Sequence, residues 1–176
     1  VPLFETLLRP ESLACLQDHR VHGAVLLAGP IFLEMAQAAA RQIDGQSQLG
    51  VREFRIREPL VLPAEGRVVQ VQLGEEEEGT RRFTIHSRAL AGEEGWHVHA
   101  VGTLVATTPQ AAMAGGHTMA ISATQDALGA AQPCDGYYQR LQDLGIELGA
   151  GFRSLVLAHV GAGAALAQIS LPATAA

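Results

Sequence analysis

The sequence predicts an α+β fold, in which one almost entirely apolar helix is followed by about four strands. Residues 30–43 carry apolar side chains around most of a helical circumference, and several runs within residues 51–104 alternate between apolar and polar side chains as strands do. The chain has 176 residues and is 48% hydrophobic, which is enough to form one sizeable core.

The helix is predicted to begin at Pro30, because proline suits a first helical position, where its missing N–H would be unpaired anyway. Glu34, Gln37 and Arg41 form a narrow polar stripe, three and four residues apart. The rest of the surface is covered by Ile31, Phe32, Leu33, Met35, Ala36, Ala38, Ala39, Ala40 and Ile43. Such a helix must be nearly enclosed, and its alanines allow a sheet to approach closely.

Strands are predicted on both sides of this helix. Ahead of it, a short apolar run at Leu13–Leu16 predicts an edge strand. After it, Phe54 and Ile56 alternate with arginines in a half-buried strand that covers residues 51–62.

Two further strands show the same alternation. Val69, Val71 and Leu73 mark the first of them, and Phe83 and Ile85 share one face of the second. The run of glutamates between these two strands is typical of a solvated hairpin tip, since neighbouring carboxylates repel one another.

The last strand of this group is predicted to carry histidines on one face. Its other face is apolar and consists of Trp96, Val98, Ala100, Gly102 and Leu104. His97 and His99 then lie opposite, and with His86 on the neighbouring strand they have a spacing that suits three zinc ligands. The same face also carries Arg82, Thr84 and Arg88, a set typical of solvent-exposed surface, so we predict no metal site.

The composition changes after this strand. Residues 107–133 are rich in Ala, Gly, Thr and Gln with little periodicity, which predicts a linker. A helix over residues 136–144 follows, ended by Gly145, and then two strands over residues 152–160 and 164–171.

Charge and hydropathy exclude several classes of function. The net charge is −6 and no basic cluster is present, which argues against nucleic acid as a partner. No apolar run is long enough to span a bilayer, and the N-terminal residues do not have the pattern of a signal peptide. We therefore expect no membrane association and a cytoplasmic protein.

The loop before the helix carries a motif. His19, Gly23 and the turn at Gly29, followed by the residues FLEMA, resemble the HxxxGxxxxP motif of dehydratase domains from modular polyketide synthases. Ala28 stands at the position of the motif's closing proline, and Pro30 lies two residues further on.

A second segment resembles another motif of the same family, LGxxYGPxF. Its matching residues are Leu144, Gly145, Gly149 and Phe152. Leu148 replaces the tyrosine of the pattern and Ala150 replaces its proline. With the residues PLVLP and GWHVHAVGTLV between the two motifs, the resemblance covers nearly the whole chain.

The resemblance implies a hotdog fold, in which an antiparallel sheet wraps around a central helix. Residues 1–106 would form an N-terminal hotdog, residues 107–133 a linker, and residues 134–176 the beginning of a second hotdog, truncated before its central helix. Dehydratases of the family are double hotdogs whose second half supplies a catalytic aspartate. The resemblance therefore places the acid outside these residues, and Asp126, Asp135 and Asp143 do not match its context.

The chemistry of dehydration agrees with the first motif. Removing water from a 3-hydroxyacyl thioester needs a base near the α-carbon, and an imidazole titrates near neutral pH, so His19 is the predicted catalytic base. Backbone N–H groups at the helix start near Gly29 would stabilise the enolate-like oxygen. The resemblance implies a substrate-binding set of Gly23, Ala28, Gly29, Leu148, Gly149 and Phe152.

Partners and cofactors follow from the resemblance alone. The chain would bind no cofactor of its own, and its substrate would be carried on the phosphopantetheine of acyl carrier protein. Its partners would be that carrier, the neighbouring synthase domains and a second copy in a homodimer. The predicted activity is that of a hydro-lyase.

Two other functions remain open from the sequence. A related domain with the same histidine motif would catalyse cyclisation by oxa-addition, or move a double bond. A hotdog domain without activity would serve as a structural or dimerisation element, and the loss of both motif prolines and of the tyrosine favours this reading over the first.

Overall fold

Antiparallel strands pack against one long helix, as the sequence predicts. The computed structural model describes residues 1–45, 49–91, 95–106 and 121–171, with the side chains of Asp44, Ser122 and Ala123 excluded. The helices are α1 (Gly29–Asp44), α2 (Ile121–Ala127) and α3 (Asp135–Asp143). The strands are β1 (Leu3–Leu8), β2 (His19–Val21), β3 (Ala24–Val25), β4 (Leu49–Ile56), β5 (Arg67–Glu77), β6 (Thr80–Ala89), β7 (His97–Ala106), β8 (Gln132–Pro133), β9 (Ile146–Leu148), β10 (Leu155–Gly161) and β11 (Ala164–Ile169).

The largest sheet has five strands in the order β1-β5-β6-β7-β4, and every neighbouring pair is antiparallel. The predicted inward face of this sheet is confirmed. The buried side chains on β5 and β6 include Val69, Val71, Leu73, Phe83 and Ile85. They join α1 in a single hydrophobic core, because alternate residues of each strand point to the same face.

Helix α1 presents one face to this core. Phe32, Ala36, Ala39 and Ala40 are buried, at positions that share one side of a helix. The helix ends at Gly45, which adopts a left-handed φ of 63° and donates its N–H to the Arg41 carbonyl. The prediction of near-complete enclosure is only partly met, because the described residues cover one side and Ile43 is 40% exposed.

Two strand predictions are wrong in position. The edge strand lies at Leu3–Leu8, where it pairs with β5. Most of the predicted run, residues 14–16, instead belongs to a 3₁₀ helix at Ala14–Asp18. The strand predicted over residues 51–62 ends at Ile56. The chain then continues in a loop whose Leu60 and Leu62 are buried through contacts with the segment before α1.

The face assignment of β7 is also wrong for half of its length. Ile85 pairs with Ala100, but His86 pairs with Val98, so one extra residue stands on β7 at this point. This β-bulge reverses the alternation, and both His99 and Ala100 are buried while Val98 is exposed. Trp96, predicted to face inward, is 41% exposed.

Two smaller sheets complete the described structure. One has the strand order β11-β10-β8, and the other has the order β3-β2-β9. Helix α2 and β8 fall inside the range predicted as a linker, and residues 107–120 of that range lie outside the described part. The described helices include none that is both long and apolar enough to cross a membrane.

Candidate active site

The smallest sheet brings the two sequence motifs together. β2 begins with His19, and β9 ends with Leu148, and these two residues are directly opposite in an antiparallel ladder of three pairs. β9 follows α3, after Gly145 turns the chain with a φ of 79°. The second motif is therefore placed beside the first by backbone hydrogen bonds, which do not depend on the side chains that the motif has lost.

The imidazole of His19 is held in a defined protonation form. Its Nδ1 lies 3.0 Å from the carbonyl oxygen of Leu26, and a carbonyl oxygen can only accept a hydrogen bond. Nδ1 therefore carries the proton, and in the neutral ring Nε2 keeps its lone pair. Among the described residues, Nε2 has no hydrogen-bond partner. His19 is half-buried, and a neutral ring with a free Nε2 has the form that can accept a proton.

Phe152 covers one side of this ring. The two ring centroids are 5.3 Å apart, with an angle of 52° between the planes. Phe152 ends a 3₁₀ turn, Ala150–Phe152, and its N–H is donated to the Gly149 carbonyl over 3.0 Å. Of the predicted site residues, His19, Leu148, Gly149 and Phe152 are thus brought into one place.

Asp18 fixes the loop that carries Phe152, and sequence reasoning missed it. Its backbone carbonyl accepts a hydrogen bond from the Gly149 N–H, and its carboxylate Oδ2 accepts one from the Gly151 N–H, each over 2.7 Å. A Cβ on Gly149 would overlap the Asp18 carboxylate. The only signals in the sequence are the position of Asp18 next to His19 and the paired glycines of the second motif.

Gly23 serves the backbone of the β2–β3 hairpin. His22 and Gly23 are the two turn residues and have φ values of 49° and 78°, the positive values that a type I′ turn requires. The His22 N–H is donated to the Gly145 carbonyl over 2.7 Å, so the turn also contacts the second motif. Gly23 is exposed and lies at the opposite end of the hairpin from His19.

The start of α1 follows the hairpin directly. Ala28 is the N-cap residue, is buried, and has φ −69° and ψ 145°. This φ is the value that proline fixes, so alanine adopts here the backbone that the family motif builds with proline. Among the described residues, no side chain caps this helix end. Pro30 has no N–H and the Ile31 N–H is bonded to the Ala28 carbonyl, so in the first turn of α1 the N–H of Gly29 is left for a ligand.

Within the described ranges, no carboxylate forms an ion pair with His19. Asp126, Asp135 and Asp143 are exposed, and Asp143 accepts a hydrogen bond from Gln139 on its own helix. That none of the three provides the acid stays a prediction.

The histidines of β6 and β7 have a structural arrangement of their own. The Nδ1 of His99 lies 3.2 Å from the Glu58 carbonyl, and its Nε2 lies 2.7 Å from Ser87 Oγ, which also accepts from Arg67 Nε over 2.9 Å. Burial lowers the pKa of His99 below its usual value. No three potential metal ligands come together in the part of the chain that the structure describes. Sequence reasoning missed this network because the β-bulge turns His99 inward.

Comparison with known proteins identifies relatives of the chain. Residues 1–88 match the family described as "Polyketide synthase dehydratase domain". The polyketide synthase GfsA of Streptomyces halstedii is 39% identical over 143 residues, which cover 80% of this chain and 2% of that protein. This chain therefore spans a small part of the curated relatives it matches.

Solved structures share the fold. The dehydratase domain from the CurK module of curacin polyketide synthase has a TM-score of 0.82 and 25% identity, covering 97% of this chain and 58% of that domain. The dehydratase domain of PpsC from Mycobacterium tuberculosis has a TM-score of 0.78 and 29% identity, with coverage of 98% and 59%. These similarities confirm the predicted hotdog fold.

Two inactive mutants among the related solved structures differ in the residue that is replaced. One is a CurK dehydratase in which an aspartate is replaced by asparagine, 25% identical to this chain. The other is a CurJ dehydratase in which a histidine is replaced by phenylalanine, 26% identical and in complex with a compound. In those proteins, activity is lost when one aspartate or one histidine is changed.

Proposed function

Because the chain belongs to the dehydratase domains of polyketide synthases, we propose that it supplies the catalytic base for removing water from a 3-hydroxyacyl thioester. The product would be an α,β-enoyl chain. The observation that carries this proposal is the environment of His19, whose Nδ1–H is donated to a backbone carbonyl and whose Nε2 is free among the described residues. That is the protonation form a general base needs.

The imidazole of His19 and the start of α1 have separate roles in the reaction. Nε2 of His19 takes a proton from the α-carbon, and the electrons of that C–H bond move toward the thioester carbonyl oxygen. The free N–H of Gly29, at the start of α1, would stabilise this oxygen, since the helix dipole favours negative charge there. The Leu26 carbonyl stabilises the imidazolium that forms, because its partner Nδ1–H becomes more positive.

The β-hydroxyl then leaves as water, and a carbon–carbon double bond forms. The leaving hydroxyl needs a proton from an acid. We assign that acid to an aspartate outside these 176 residues. Two observations support this assignment. The Asp18 carboxylate already accepts a hydrogen bond from the Gly151 N–H. In the CurK domain, of which this chain covers 58%, replacement of an aspartate gives an inactive protein.

The same proposal includes the partners and the location. The acyl chain would arrive on the phosphopantetheine of acyl carrier protein, and the neighbouring domains of a synthase would surround this one. No other cofactor takes part in the proposed reaction. The homodimer and the cytoplasmic location expected from the sequence belong to this proposal too.

Mass spectrometry of a 3-hydroxyacyl carrier protein tests the proposal. The carrier is incubated with this chain and, separately, with a longer synthase polypeptide that contains it. We expect loss of one water from the acyl group with the longer polypeptide and none with the chain alone. Cyclisation without loss of mass, or no reaction with either protein, would instead support the cyclase or the structural reading and contradict the proposal.

A further inference from the structure

We infer that Asp18 is a positioning residue for the proposed base, and that it acts by holding the segment from Gly149 to Phe152 so that the Phe152 ring stays on the ring of His19. This inference rests on the proposed function, because it assigns a role in the same site. It concerns a residue that neither sequence motif includes.

Asp18 binds this segment at two points. Its main-chain carbonyl accepts the N–H of Gly149, and its carboxylate Oδ2 accepts the N–H of Gly151, both over 2.7 Å. The second bond joins residues that are 133 positions apart in the chain. A carboxylate that accepts a backbone N–H forms one of the stronger hydrogen bonds in proteins, and this one is partly buried.

The glycines of the segment fit the Asp18 side chain. A Cβ on Gly149 would overlap the carboxylate, and a Cβ on Gly151 would lie 3.0 Å from Oδ2. The space that a side chain would need at these positions is therefore filled by Asp18. This accounts for both glycines by contact with Asp18, without any ligand.

The held segment ends at the site. The Phe152 N–H is bonded to the Gly149 carbonyl, so Phe152 ends a turn that begins at Gly149, a residue that Asp18 holds. The ring then lies 5.3 Å from the imidazole of His19. His19 is fixed on another side by the bond between Nδ1 and the Leu26 carbonyl. Phe152 restricts rotation of the imidazole and keeps water from one side of it.

Substitution at Asp18 in the longer synthase polypeptide that contains this chain tests the inference. Because a displacement of about 1 Å in a reacting group can cost about 100-fold in rate, we expect Asp18→Ala to lower kcat for water loss by roughly 10- to 100-fold. KM should change much less. Asp18→Asn should recover a large part of kcat, since its amide oxygen has the same reach and can accept the Gly151 N–H.

A double mutant separates positioning through Phe152 from other roles. If Asp18 acts through this ring, Asp18→Ala combined with Phe152→Ala should be no slower than the slower single variant. Multiplication of the two losses would overturn the inference. An Asn variant as inactive as the Ala variant would also overturn it, because that result is expected of a proton donor.

Controls distinguish this inference from the proposed function. Asp143→Ala removes an exposed aspartate on α3 and should leave kcat unchanged. Loss of turnover in His19→Phe together with full kcat in Asp18→Ala would overturn this inference alone, whereas full turnover in His19→Phe would overturn the proposed function. If Asp18→Ala does not fold, Gly151→Ala tests the same contact. The Cβ of the new alanine would press on Asp18 Oδ2, so this substitution should lower kcat. An unchanged kcat in Gly151→Ala would overturn the inference.

Discussion

The rings of His19 and Phe152 lie 5.3 Å apart, although they come from the first and the second motif of the chain. Their contact depends on the backbone ladder between β2 and β9 and on the bonds that Asp18 makes to Gly149 and Gly151. The lost tyrosine and prolines of the family pattern do not take part in these bonds. A chain that departs from the pattern at those positions therefore still assembles the histidine side of the site.

Restoring the closing proline of the first motif should stabilise the protein. Ala28 already has a φ of −69°, and its N–H has no hydrogen-bond partner among the described residues. Ala28→Pro should raise the free energy of unfolding by about 0.4–1 kcal/mol, because proline lowers the entropy of the unfolded chain. Urea denaturation measures this change. Ala38→Pro, in the middle of α1, is the control and should cost about 3 kcal/mol or more.

Gly102 should not tolerate a side chain. A Cβ there would lie 2.7 Å from two atoms of the Phe83 ring, which is buried in the core. Gly102→Ala should therefore destabilise the fold by about 1–3 kcal/mol, since an overpacked core must shift. Gly74→Ala is a matched control, because its Cβ would meet Arg82 only at 3.5 Å or more. Equal denaturation midpoints for the two variants would contradict the packing described here.

Ser87 should contribute to stability through its hydroxyl. This buried side chain accepts a hydrogen bond from Arg67 and donates one to Nε2 of His99, whose Nδ1–H is given to the Glu58 carbonyl. Ser87→Ala leaves buried polar atoms without that partner, which should cost about 1–3 kcal/mol. Thr84→Ala, on the opposite face of the same strand, should change the unfolding free energy by less than about 0.5 kcal/mol.

Stability should fall as the pH is lowered through the range in which free histidine titrates. Burial lowers the pKa of both His99 and His86, and near His99 the charges of Arg67 and His97 act in the same direction, while the carbonyl and carboxylate of Glu58 oppose it. The folded state then binds fewer protons than the unfolded state. The contribution of these groups to the free energy of unfolding is fully present above pH 6.5. It decreases as the pH falls from 6.5 to their lowered pKa values.

Denaturation curves between pH 5 and pH 8 measure this dependence. His99→Gln should reduce the slope, because it removes one of the two groups. His159→Gln is the control, since that histidine lies on β10, outside this network. A slope that His99→Gln leaves unchanged would contradict the assignment.

Periodicity and motifs predicted the parts of this structure that rest on local pattern. The apolar helix and the inward faces of β5 and β6 follow from residue spacing, and His19 follows from the resemblance of its loop to the family motif. The faces of β7 did not, because a β-bulge adds one residue and no local signal marks it. The near-complete enclosure of α1 was met only in part by the described residues, since spacing reveals which side chains are apolar but not what covers them.

The residues of the candidate site were also predicted only in part. The sequence supplied His19, Leu148, Gly149 and Phe152 through the resemblance, and the structure places them together. Asp18 was missed because its partners Gly149 and Gly151 lie 131 and 133 positions away, and contacts at such separations depend on tertiary structure. Its role in holding the loop became visible only from the two hydrogen bonds.

The most direct test of the account is the rate of water loss from a 3-hydroxyacyl carrier protein catalysed by two histidine variants of the longer synthase polypeptide. His19→Phe removes the proposed base and keeps a ring of similar shape, whereas His97→Phe changes an exposed histidine on β7. If His19 is the base, the first variant yields no detectable enoyl product and the second keeps an unchanged rate. Turnover by His19→Phe at the rate of the unmodified protein would show that His19 is not the base.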